Sequence, residues 1–270
     1  MRRELEPWLS GRKIVSASLE DAPPGPKYAG LERAGGQRIL SVGRRGKLLI
    51  LPLDGGDELI IHLGMTGVLT ATRPERHLRV SLALDEGEDP ALYFQDARRF
   101  GRFVVVSAGD YATLPTLQAM GPEPLGDGFT AGRFYAALQA SSVALKSYLL
   151  SQRPVSGVGN IYADEALWRS RLHPLTPANR VPRRKVPALM AAIREVLEAS
   201  IAAQGTTLND YRTVNGEVGA YSSELRAYGK GGEPCPRCGD AVEKIVLAGR
   251  GTHYCPRCQR LPGRRPTRPS

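Results

Sequence analysis

Between Arg38 and Val106 the apolar positions come in short runs. "QRILSV", "GKLLILPL", "DELIIHLGM", "LRVSLAL", "ALYFQD" and "GRFVVV" are rich in β-branched and aromatic residues and are broken by Gly, Pro, Asp or Arg. Several strands at that rhythm predict a sandwich or barrel. A Pro- and Gly-rich connection follows, "TLPTLQAMGPEPLGDGFT", and places a domain boundary within residues 115–130. Beyond it the period becomes helical. "AGRFYAALQA", "VALKSYLLSQ" and "NIYADEALWRSRL" each predict a helix. The clearest is "KVPALMAAIREVLEASIAAQG", with Val186, Leu189, Met190, Ile193, Val196, Leu197 and Ile201 on one stripe and Gly205 as its stop. That stripe reads as core. The fold class is α+β: a β domain, a helical domain and a C-terminal cysteine hairpin.

The first residues, "MRRELEPWLSGRK", put Leu5, Trp8 and Leu9 at helical spacing, with Pro7 limiting the run. No Ser, Thr, Asp or Asn precedes them as a cap. The expectation is a chain that starts inside an element, with its true start upstream of Met1.

Charge narrows the partners. Lys and Arg number 37 against 27 Asp and Glu, a net +10, with a pI near 9.7. That balance favours a polyanion, nucleic acid or an anionic membrane surface. No apolar run of membrane-spanning length and no signal-peptide pattern occurs, so no membrane role and a cytoplasmic location are expected. Aromatic content of 6% argues against a broad stacking platform for single strands.

All four cysteines, Cys235, Cys238, Cys255 and Cys258, fall in two C-P-R-C knuckles sixteen residues apart. Paired thiolates at that spacing grip one tetrahedral Zn2+ ion, and four thiolates leave no open position, so the ion is structural. Two disulfides are the alternative, disfavoured in a reducing compartment.

Other motifs carry chemistry less distinctly. In "SGVGNIYADEALW", two glycines permit a tight turn, Asn160 stands at the N-cap position, and Asp164 and Glu165 lie near the first turn, a start that suits a phosphate or a plain helix connection. "DARRFGR" follows a strand, so Arg98 can reach a phosphate while Phe100 wedges into a base stack or simply joins the core. "HLGMTG" offers His62 and Met65 with the same two readings. Lys47 in "RRGK" sits among arginines, a setting for a reactive amine or a solvated lysine. Arg250 in "LAGRGTHYC" is a hairpin residue. The closing "QRLPGRRPTRPS" carries four arginines and no acid, a tail for nonspecific phosphate contact.

The order of RRGK, HLGMTG, DARRFG, GPEPL, SGVGNIYADEAL, YGKGGEPCPRCG and CPRCQR closely resembles the formamidopyrimidine-DNA glycosylase family, from Arg2 to about Arg260. The pairing of HLGM with RRFG separates it from the endonuclease VIII branch. The resemblance implies an N-terminal β-sandwich at 1–118 with a truncated first helix, and a helix–two-turns–helix domain at 125–212. A lesion-recognition loop region follows at 213–230, then a zinc finger at 231–260 and a basic tail at 261–270. It implies excision of oxidised purines from damaged double-stranded DNA and strand cleavage by β,δ-elimination through a Schiff base. Lys146, Asn160 and Arg250 match residues that hold phosphates. Met65, Arg98 and Phe100 match the trio that fills the gap left by an extruded nucleotide, and His77 and His62 match further DNA contacts. Lys47 and Arg250 match residues tied to elimination. A monomer in the bacterial cytoplasm, at the nucleoid, is implied.

The chain departs from the pattern. Family members begin Pro-Glu-Leu-Pro-Glu-Val-Glu-Thr before the arginine pair, and the proline amine is the nucleophile. These residues are absent ahead of Arg2. A helix of that length spans about 12 Å at about 1.5 Å per residue, so the Met1 amine is not expected to replace the proline. A misplaced start is the expectation; the alternatives are a catalytically inactive paralogue that binds damaged DNA or abasic sites, and a zinc-ribbon nucleic-acid adaptor. Ala97, Ser151 and Ser141 replace a common Pro, Asp and basic residue, and the last puts that DNA contact in question.

Overall fold

The computed structural model describes residues 1–85, 87–205 and 220–262. Residues 213–219 of the expected recognition loop and 263–270 of the expected tail lie outside the described residues. The chain forms two compact units. Met1–Gln118 belongs to the first; Ala119–Ala203 and the described residues from Tyr221 onward form the second.

In the first unit, α1 (Arg2–Leu9) precedes eight strands: β1 (Ile14–Leu19), β2 (Gly43–Arg45), β3 (Leu48–Pro52), β4 (Asp57–His62), β5 (Gly67–Thr70), β6 (Leu78–Leu84), β7 (Ala91–Asp96) and β8 (Arg102–Ser107). A four-residue helix, α2 (Pro115–Gln118), ends the unit. The strands make two four-stranded antiparallel sheets, ordered β1-β6-β7-β5 and β2-β3-β4-β8. Their facing apolar rows form one core, in which Phe94 of β7 and Phe103 of β8 meet with ring centroids 5.7 Å apart. Leu5 and Leu9 of α1 are buried in the same core, a fit for their i, i+4 spacing. The α1 start has no side-chain cap; the Met1 amine lies 3.0 Å from Glu4, and the helix runs two residues past Pro7.

β6 and β7 match the sequence expectation at both ends. Three strands go beyond it, and each has a physical reason. β1 alternates with polar residues at a sheet edge, leaving Val15 exposed. β2 is Gly-Arg-Arg, with no apolar residue, and β5 is only four residues long. "QRILSV" forms isolated bridges from Arg38 to Lys13 and from Ile39 to Leu53, not a continuous strand.

The second unit holds α3 (Ala131–Gln139), α4 (Leu145–Leu150), α5 (Asn160–Ser170) and α6 (Val186–Ala202), then the hairpin β9 (Glu243–Leu247) and β10 (Arg250–Tyr254). Thr130 caps α3 by accepting from Arg133 N–H. α4 begins two residues later than its apolar run because Ala144 bridges to Pro177 and the Leu145 N–H is bonded to Thr176. The α6 stripe is core as expected, except that Ile201 is exposed near the helix end.

Candidate nucleic-acid interface

In the first unit, Met65 and Phe100 are 52% and 54% exposed, so neither joins the core. Their loops touch backbone to backbone. Gly64 has φ +67°, and a Cβ there would fall 2.7 Å from the Phe100 carbonyl carbon and the Gly101 nitrogen. Buried Asp96 ties the two loops together: one carboxylate oxygen accepts from the Thr66 hydroxyl, the other from Gly101 N–H at 2.7 Å. Thr66 in turn accepts from Arg98 N–H at 3.2 Å. The Arg98 guanidinium lies 5.8 Å from the Phe100 ring centroid, with Lys27 at 6.0 Å. The structure thus presents Met65 and Phe100 as an exposed apolar wedge on two tied loops, with Arg98 and Lys27 beside the Phe100 ring. Asp96 and Thr66 escaped sequence reasoning. The available signal was that Asp96 continues the inward alternation of Leu92 and Phe94.

Lys47 is exposed on the two-residue turn between β2 and β3, after Gly46 at φ 55°. His62, at the end of β4, pairs in register with Leu48 beside it. Its Nδ1 accepts from Gly64 N–H at 3.2 Å, which leaves Nε2–H as a donor. Burial holds the imidazole below its ordinary pKa, and the charges of Lys47 and Arg102 push the same way. His77 is exposed at φ 61°, and its carbonyl accepts the Asp96 N–H at 3.0 Å.

In the second unit, Gly159, not Asn160, occupies the α5 cap position; Asn160 is the first helical residue. Gly159 is extended and its carbonyl accepts from Ala163, so the cap falls one residue earlier than the residue type predicted. The Asn160 side chain instead donates to Gly251 of β10 at 3.2 Å. Lys146 is fully buried, and its ammonium contacts Gly251 O at 2.9 Å, Thr252 Oγ1 at 2.8 Å and Asp164 Oδ1 at 2.7 Å. Gly251 and Thr252 accept hydrogen bonds from the ammonium, and Asp164 pairs with its charge. Burial lowers the Lys146 pKa, Asp164 opposes the shift, and the charge of Arg250 adds to it. Arg250 itself is exposed, directly after the turn at Ala248 and Gly249, both at positive φ.

Asp164 and Glu165, expected near the first turn of α5, lie just beyond it and are buried. Asp164 also accepts His253 N–H at 2.9 Å. Glu165 accepts the N–H groups of Arg226, Ala227 and Tyr228 at 2.8–3.0 Å through one oxygen. Asp164 stands four residues from Asn160 and so shares its helix face. That spacing was the signal for its role.

The four cysteine Sγ atoms lie within 4.8 Å of one another. Cys235 and Cys258 are 4.0 Å apart and Cys238 and Cys255 3.4 Å. A tetrahedron with Zn–S bonds of about 2.3 Å has edges of about 3.8 Å, so the cluster fits one zinc ion. Trp168 of α5 donates its indole N–H to Cys235 Sγ at 3.5 Å, and the Arg237 guanidinium stacks 4.0 Å from the Trp168 ring centroid. Gln259 accepts from Cys255 N–H and donates to Leu172 O, both at 2.8 Å. The metal knuckles are thereby fastened to the helices.

Comparison with known proteins agrees with this geometry. Residues 1–103 match the formamidopyrimidine-DNA glycosylase N-terminal domain, 120–212 the H2TH domain of the same enzymes, and 232–261 the zinc finger found in FPG and IleRS. The chain is 47% identical to a formamidopyrimidine-DNA glycosylase of Deinococcus radiodurans, covering 96% of this chain and 94% of that one. It resembles the crystal structure of the MutM (Fpg) protein from Thermus thermophilus with a TM-score of 0.88, 45% identity and 96% of each chain covered. A complex of Lactococcus lactis Fpg with DNA containing an abasic site matches with a TM-score of 0.82 at 35% identity, again over 96% of each chain. On the wedge, the zinc hairpin and these matches together, the chain belongs to the formamidopyrimidine-DNA glycosylase family.

Proposed function

We propose that the protein excises oxidised purines, 8-oxoguanine and formamidopyrimidines, from duplex DNA and then cleaves the abasic strand. The observation that carries this reading is the wedge, two large apolar side chains held half exposed on backbone-locked loops, with Arg98 beside Phe100. An enzyme acting on a base must first extrude its nucleotide. Met65 and Phe100 inserted into the gap offset an unstacking cost of about a few kcal/mol. Arg98, His62 through Nε2–H, and His77 supply polar contacts to the strands. Arg250, exposed on a hairpin fixed by Lys146 and Asn160, holds a phosphate next to the damaged nucleotide. The zinc ion, when bound, keeps that hairpin rigid and takes no part in bond making.

In the reaction, an amine attacks the sugar C1′, the base leaves, and the resulting Schiff base permits β- and then δ-elimination of the flanking phosphates. Lys47 and Arg250 serve the elimination steps. The resemblance assigns the amine to an N-terminal proline followed by glutamate, which the present 270 residues do not include. The same reading has the protein acting as a monomer in the bacterial cytoplasm, at the nucleoid.

Borohydride trapping on an 8-oxoguanine duplex tests the proposal, comparing this chain with one extended by Pro-Glu-Leu-Pro-Glu-Val-Glu-Thr ahead of Arg2. A covalent adduct from the extended chain is expected. Tight binding of damaged duplex without an adduct from either form overturns the enzymatic reading in favour of a lesion-binding paralogue. Equal affinity for damaged and intact duplex points to an adaptor without lesion selectivity.

A further inference from the structure

The second unit carries a basic surface that none of the roles above uses. From Ala166 to Arg194 the sequence contains no Asp or Glu and seven Lys or Arg. Two of the seven are occupied: Arg169 pairs with Glu195, and Arg194 donates to Pro124 O and Phe129 O. Arg180, Arg183, Arg184 and Lys185 form no ion pair with a described acid. The three arginines are exposed, and Lys185 is half-buried.

Local structure concentrates these charges. Two 3₁₀ turns, Ala178–Arg180 and Arg183–Lys185, bring all four within six residues. The Arg183 guanidinium is laid over the Tyr135 ring of α3, 5.6 Å from its centroid, which restrains one charge in advance of any ligand. The group ends at the start of the 17-residue α6, whose first turn holds no acid. Helix dipoles make that end positive, so three cations there repel one another and the helix. A polyanion relieves both.

The run is also continuous with the Lys146 end of α4. Lys146, Leu145, Ala178 and Asn179 donate backbone N–H bonds to Pro174, Thr176, Val143 and Ser141 respectively, at 2.7–3.2 Å. One extended segment therefore leads from beside the proposed phosphate site to the basic turns. We propose that Arg180, Arg183, Arg184 and Lys185 form a second phosphate-contact surface, which grips the backbone of the duplex arm flanking the damaged nucleotide. The proposal rests on the DNA-repair reading above.

The test measures affinity against salt for R180A/R183A/R184A and wild type. The ligands are abasic-analogue duplexes of roughly one and roughly three helical turns. Each phosphate contact contributes about 0.9 to the slope of log K against log salt. On the long duplex the variant's slope is expected to be shallower by roughly two to three, with affinity falling tenfold or more near physiological salt. On the short duplex the two proteins should agree within about twofold. An unchanged slope on the long duplex overturns the proposal, as does an equal loss on both lengths. A thermal unfolding midpoint at or above that of wild type confirms that the variant folds. Capture of a second intact duplex by wild type already holding the short one, lost in the variant, overturns the flanking-arm assignment in favour of a second DNA molecule. If wild type binds neither damaged duplex, the DNA-repair reading falls as well. If it binds the short one and gains nothing from length, only this surface does.

Discussion

Lys146 and Asn160 donate to one and the same carbonyl, that of Gly251, at 2.9 and 3.2 Å. Two residues fourteen apart on successive helices thus fix a single peptide of the zinc hairpin, next to exposed Arg250. In the proposed interface Lys146 serves the phosphate contact through the backbone it positions, since its ammonium is buried against Asp164, Gly251 and Thr252.

Removing the lysine leaves Asp164 as a lone buried charge. Lys146→Met is therefore expected to destabilise the protein by about 3–5 kcal/mol. Adding Asp164→Asn removes that charge while keeping an acceptor for His253, and should recover part of the loss. Denaturant titration of the three proteins checks this. A single variant within about 1 kcal/mol of wild type would show that the pair does not hold the hairpin.

His62 gives stability a pH dependence. Its pKa is held below the ordinary 6.5 by burial, then by Lys47 and Arg102. Below about 6.5 the unfolded imidazole binds a proton that the folded one still refuses, so stability falls as pH drops through that window and is complete above it. His62→Gln is expected to lose less of its unfolding temperature than wild type between about pH 7.5 and 5.5. Identical pH profiles would contradict this assignment.

Zinc removal should be visible at Trp168, whose indole N–H bonds Cys235 Sγ. In a Trp8→Phe background, chelation is expected to change the remaining tryptophan's emission and weaken duplex binding together. Metal analysis should return one zinc per chain, which Cys255→Ser reduces. Retained binding after full metal loss would separate the hairpin from the interface.

The wedge depends on a glycine. Gly64→Ala adds a methyl at φ +67° against the Phe100–Gly101 peptide, 2.7 Å away, and strains the loop by about 1–3 kcal/mol. Base extrusion, followed by a fluorescent base analogue at the lesion, should fall at least tenfold while undamaged-duplex affinity stays close to wild type. Normal extrusion would mean that Met65 and Phe100 act without a fixed spacing.

The sequence by itself determined much of this protein. Period-two runs marked β6 and β7 at both ends, period-3.6 runs marked four helices, and two C-P-R-C knuckles marked a closed metal site. Those features are local, since spacing along the chain fixes which face a residue occupies. Only the tertiary structure decided which polar groups meet. Asp96 looks like a strand-end acid, yet it is the tie between the Thr66 and Gly101 loops. Asp164 and Glu165 look like helix-start acids, yet burial converts one into the partner of Lys146 and His253 and the other into an anchor for the 226–228 backbone. Lys146 looks like a phosphate ligand and is sealed away from solvent. In each case the outcome rests on a partner 5 to 106 residues distant. Burial makes such a pairing obligatory, because an unpaired charge in the interior costs more than the bond returns at the surface.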